Sequence, residues 1–134
     1  MLPLLRRLVA VHIWKLVPAG LAMASVSAHA ELVEIVWLAQ AKFERSAEIA
    51  PSKFLEVCGK FSQGEAVTWR FDGTAASDFN IHYHQGKEVV YPARETGATS
   101  SSGKVEIAVD QDYCWMWSNK GGKPMQLRLS LEKR

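Results

Sequence analysis

The chain has 134 residues, enough for one domain and little else. Lys and Arg total 16 against 14 Asp and Glu, a formal net charge of +2. Three of those bases, Arg6, Arg7 and Lys15, sit in the first thirty residues, which hold no acid; beyond them thirteen bases meet fourteen acids, a near-neutral, interspersed surface that excludes the electrostatic footprint of a nucleic-acid binder.

Residues 1–30 read as a signal peptide. Arg6 and Arg7 make a positive start, Leu16 to Ala28 is uncharged and apolar, and Ala28-His29-Ala30 is a small-x-small cleavage site before Glu31. The apolar run is shorter than the ~18–20 residues of a membrane span, so no span is expected after cleavage; an uncleaved anchor is the alternative. A periplasmic or secreted location follows. In that setting the two remaining cysteines, Cys58 and Cys114, favour a disulfide.

Residues 31–51 form an N-terminal segment whose pattern is double. Leu32, Ile35, Val36 and Ala39 fit a short helix; Val33, Ile35 and Trp37 fit an edge strand. The reading leans to the helix, ended by Pro51.

Residues 52–134 predict strand after strand. Lys53–Phe61 leads, with a turn at Ser62-Gln63-Gly64. Ala66–Phe71 alternates and Asp72-Gly73-Thr74 breaks it. Ser77–Gln85 turns through Gln85-Gly86-Lys87 into Glu88–Tyr91, a hairpin. Pro92 opens a long loop in which Thr96 to Gly103 is all small residues and the most mobile stretch. Lys104–Val109, Asp112–Asn119 and Met125–Leu131 complete about seven short strands, an all-β antiparallel sandwich. No helix-length insert exists for a parallel crossover.

The motifs Val67-Thr68-Trp69-Arg70-Phe71, Asp78-Phe79-Asn80-Ile81-His82-Tyr83-His84 and Tyr113-Cys114-Trp115-Met116-Trp117-Ser118-Asn119 resemble those of GOLD (Golgi dynamics) domains, the lumenal heads of early-secretory cargo receptors. The resemblance covers about residues 52–132. It implies an extracytoplasmic β-sandwich that binds protein or lipid, with an early-strand cysteine paired to one in the late aromatic strand, as Cys58 and Cys114 would be. The receptors' coiled coil and membrane span have no counterpart after Arg134, so receptor trafficking is not implied.

His82 and His84 are the only histidines after residue 30 and project from one strand face with Asn80. Imidazole suits zinc and copper; were the strands to pair in the right register, Met116 and Cys114 would join the pair in a copper-leaning set, yet two clustered ligands fall short of the three or four a site needs. Tyr113, Trp115 and Trp117 share one face of their strand, Cys114 and Met116 the other. One of these faces lines a groove. Burial favours core for most of the rings, while aromatics are also favoured in binding sites. The expected binding residues are His82, His84, Asn80, Trp115 and Trp117, recognising a protein partner or small ligand without catalysis. Asp110 and Asp112 read as a solvated pair, and there is no nucleophile–base constellation. Copper handling and a structural role in an envelope complex are the rival readings.

Overall fold

A computed structural model describes residues 30–134. The expected signal peptide therefore lies, save Ala30, outside the described residues. What they form is all β: β1 (Glu31–Glu34), β2 (Lys42–Ile49), β3 (Phe54–Phe61), β4 (Ala66–Gln85), β5 (Glu88–Glu106), β6 (Gln111–Ser118) and β7 (Met125–Lys133). Among them no helix is long and apolar enough to cross a membrane.

The strands make one seven-stranded sheet in the order β1-β3-β6-β4-β7-β2, with β5 along the other side of β4. β4 is the pivot. Its first half pairs with β7 from Val67 to Gly73, and its second half with β6 from Asp78 to His82. The sheet curls so that its two halves enclose one core; Phe71 of the first half meets Trp117 of β6, ring centroids 5.6 Å apart. The expected all-β fold of about seven strands is what forms, its two packed halves belonging to one continuous curled sheet.

Asp72-Gly73-Thr74 does not break the chain as expected. The register with β5 shifts between Asp72 and Ser77, an irregularity at which the strand bends from one half of the sheet to the other. Gly73 fits because a Cβ there would lie 3.0 Å from the Ala75 carbonyl oxygen and from Met125 Cε. Pro92 and the small-residue run Thr96 to Gly103 are likewise strand, not a mobile loop: β5 pairs with β4 from Glu88 to Glu106. Ladder hydrogen bonds override the poor strand propensity of Ser and Gly. The Gln85-Gly86-Lys87 hairpin turn forms as expected, with Gly86 at φ +62°.

The N-terminal helix is corrected to strands: residues 31–50 hold β1, β2 and only a 3₁₀ turn at Ala39–Ala41. The edge of β3 offered a partner, and Val33, Ile35 and Trp37 turn to the core while Leu32 and Val36 face out. β1 runs parallel to β3, the one departure from antiparallel pairing. No crossover helix is needed because the connection passes through β2 on the opposite half. Arg45 of β2 pairs with Glu31 of β1, joining the two edges side chain to side chain.

Cys58 and Cys114 face one another across β3 and β6 and are bonded. Their Cα atoms are 4.1 Å apart, just under the usual ~4.4–6.8 Å. Cys58 O accepts from Ile35 N on the β1 side, so the pair belongs to the closer, non-hydrogen-bonded kind. Such a bond persists in oxidising compartments, in keeping with a periplasmic or secreted protein.

Candidate functional site

The two outer faces of the curled sheet differ in chemistry, and the register shows how. On the half built from β2, β7 and the first part of β4, with β5 beside it, the outward rows are Lys42, Glu132, Thr68 and Lys104; then Glu44, Ser130, Arg70 and Ser102; then Ser46, Arg128, Asp72 and Ser100. Every position is polar, with both charge signs mixed, as a solvated face requires.

The other half is different. One outward row is Leu32, Glu56, Met116, Asn80 and Arg94. The next is Glu34, Cys58, Cys114 and His82. His84 and Val89 face each other beyond them. Leu32 is 70% exposed and Tyr91 is 40% exposed. A groove of about 560 Å³ runs over this face from Leu32 and Glu34, across the disulfide, to His84 and Asp112.

His82 is the buried centre of this face. Its Nε2 lies 3.0 Å from Glu56 Oε1 and its Nδ1 2.8 Å from Asn80 Oδ1. Both neighbours accept, so the imidazolium satisfies both at once; the neutral ring does so only when the Asn80 amide turns its NH₂ toward Nδ1. Burial opposes the charge and is the largest influence. It holds the His82 pKa below the ordinary 6.5, against the pull of the Glu56 carboxylate, and His84 adds a further downward push. The Tyr91 ring lies tilted against the His82 ring at 5.9 Å, and the Arg94 guanidinium sits 3.4 Å over the Tyr91 ring centroid. The exposed His84 ring lies edge-on to His82 at 5.5 Å.

A lowered histidine pKa has a defined consequence for stability. Between the folded pKa and 6.5 the unfolded chain binds a proton that the folded one declines, so this contribution is complete above about pH 6.5 and falls as pH drops through that window. Thermal melts from pH 5 to 8 should show a decline below pH 6.5 that is flattened in His82→Gln. An unchanged slope in the variant would assign the decline to other groups.

The structure places His82, His84 and Asn80 on one face, and the β4–β6 register sets Met116 opposite Asn80 on it. It separates Trp115 and Trp117 from them, and this is a correction. Both indoles are buried in the core on the opposite side of β6, together with Tyr113, and present no surface to a ligand. Each is held by aromatic neighbours: Trp115 by Phe61 at 5.6 Å, Trp117 by Phe79 at 5.2 Å. As for metal, both ring nitrogens of His82 are engaged, so ligation would break a bond to Glu56 or Asn80. Glu56, Cys58 and Cys114 place their ligand atoms within 4.8 Å of one another, but the disulfide removes both thiolates. Asp110 accepts from Gln63 N at 2.7 Å, tying the turn after β3 to the segment that leads into β6.

Sequence reasoning missed Glu56, Tyr91, Arg94 and Leu32. The cystine held the signal for Glu56: once Cys58 faces Cys114, Glu56 must face Met116 on the same side.

No protein-family model matches the chain, and no curated protein matches it by sequence. Solved structures do resemble it. A periplasmic inhibitor of g-type lysozyme, PliG of Aeromonas hydrophila, superposes with a TM-score of 0.64 at 10% identity, covering 79% of this chain and 98% of that one. PliG of Salmonella Typhimurium gives 0.55 at 11% identity, covering 78% and 99%. The pre-peptidase C-terminal domain of a Bacillus anthracis collagenase gives 0.53 at 6%, covering 77% and 96%. At these identities the likeness is one of fold.

Proposed function

We propose that this chain is a non-catalytic, extracytoplasmic module that binds a protein partner across the disulfide-bearing face of its sheet. The observation that carries the reading is the asymmetry of the two faces. On one, the three rows across β2, β7, β4 and β5 are polar throughout; the other exposes Leu32 and Tyr91 around a buried histidine and a groove floored by cystine. Apolar and aromatic groups with a few convergent polar ones are the composition of a recognition surface. No thiolate is available among the described residues to act as a nucleophile.

The partner we infer is a lysozyme of the kind the PliG proteins inhibit, a reading supported by the shared fold. The resemblance to GOLD domains also points to an exported binding module. The test is clearance of a peptidoglycan suspension by a g-type lysozyme in the presence of this protein. Stoichiometric inhibition is expected. Tyr91→Ala should weaken it at least about tenfold, as for an aromatic anchor, while Arg128→Ala on the polar face leaves it within about twofold. Undiminished clearance rejects the lysozyme reading, and equal losses in both variants reject the face.

A further inference from the structure

The disulfide-bearing face ends at β1, whose side away from β3 carries no strand; the Arg45–Glu31 ion pair, made by inward-facing side chains at its first residue, reaches across that side to β2 and leaves Leu32 and Glu34 free of a strand partner there. Ile35 N donates to Cys58 O at 2.8 Å, so Ile35, and by alternation Val33 and Glu31, turn their backbone groups toward β3. The N–H and C=O of Leu32 and Glu34 therefore point to the open side, and Val36, just past the end of β1, keeps its side chain on the same outward face. The side chains of these three residues are exposed, Leu32 at 70% and Val36 at 69%. Among the described residues Glu34 makes no ion pair.

Such an edge is a template for another strand. The other open edges are guarded differently: β5 carries Pro92, Arg94, Glu95, Lys104 and Glu106, and β2 carries Lys42, Glu44 and Glu48. β1 alone presents apolar residues on either side of a single charge.

We propose that β1 is a strand-addition site for an extended segment of the partner in which a basic residue is flanked, two positions away on each side, by apolar residues. The proposal rests on the reading above only in taking the partner to be a protein. In an antiparallel addition the basic residue faces Glu34, and the apolar ones face Leu32 and Val36. Charge excludes a second copy of this chain from the role. Two β1 strands can pair Leu32 with Val36 only in the register that sets Glu34 opposite its own equivalent, and like charges directly opposed destabilise a sheet.

The probe is an acetylated, amidated Thr-Val-Thr-Lys-Thr-Val-Thr heptapeptide, titrated into ¹⁵N-labelled protein beside a twin with Glu at its centre. The Lys peptide should shift the amides of Leu32, Glu34 and Val36 and protect the first two. It should bind about two- to fivefold tighter than the Glu peptide, the range of one cross-strand charge pair, and Glu34→Lys should reverse that order. Methylating alternate peptide nitrogens should abolish binding. Unperturbed amides at Leu32, Glu34 and Val36, equal affinities for both peptides, or shifts that grow with protein concentration alone each overturn the proposal. Peptide binding without lysozyme inhibition retains this site and rejects only the lysozyme reading, so the two failures are separable.

Discussion

Replacing Trp117 by alanine should destabilise the fold by about 3–5 kcal/mol, the range for removing a buried indole. Trp117 is 1% exposed and packs against Phe79 at 5.2 Å and Phe71 at 5.6 Å, from both halves of β4. The void would open where the curled sheet closes on itself, and neither half can collapse into it without losing its ladder. Trp117→Phe should cost far less. The Trp117 Nε1–H is buried without an acceptor, and a phenyl ring removes that desolvated donor, worth about 1–3 kcal/mol, as it removes volume. Urea unfolding of the two variants checks this; a Phe variant as unstable as the Ala variant would mean that the indole nitrogen does have a partner.

Removing the disulfide should have a comparable effect by another route. Cys58 and Cys114 are separated by 56 residues, and releasing a loop of that size restores about 4 kcal/mol of chain entropy to the unfolded state. A Cys58→Ser, Cys114→Ser double variant should melt roughly 15–25 °C lower. The parent protein should drop by a similar amount in reductant and the double variant should not respond to it. Equal melting of parent and variant would show that the cystine does not support the fold. Because the cystine floors the groove, its loss should also weaken partner binding at temperatures where the variant is still folded.

How far the sequence could be read varied along the chain, for physical reasons. Strands with strict alternation were legible: Phe79, Ile81 and Tyr83 turn inward and Met125 to Leu131 alternates as its residues suggest. The cysteine pair was legible because an exported chain with two cysteines leaves one pairing. The strand nature of Thr96 to Gly103 was hidden, since nothing in a run of small polar residues reports that β4 will supply its hydrogen bonds. The bend at Asp72-Gly73-Thr74 was hidden too, because a bulge and a break use the same residues. In the N-terminal segment helix and strand periods overlap, and only the free edge of β3 decides between them. Of the site, the histidine pair and Asn80 were visible from alternation. The indoles were misplaced because both faces of β6 are apolar, and only the enclosed core shows which one is inside.

On the proposed function, the disulfide-bearing face of the sheet, and not the polar one, meets a protein. Hydrogen–deuterium exchange on the protein alone and with an equimolar g-type lysozyme tests it most directly. Exchange should slow across residues 31–36, 56–60 and 82–94 and stay unchanged in β2 and β7. Slowing in β2 and β7 instead would contradict the assignment of the face, and no slowing anywhere would reject the lysozyme reading.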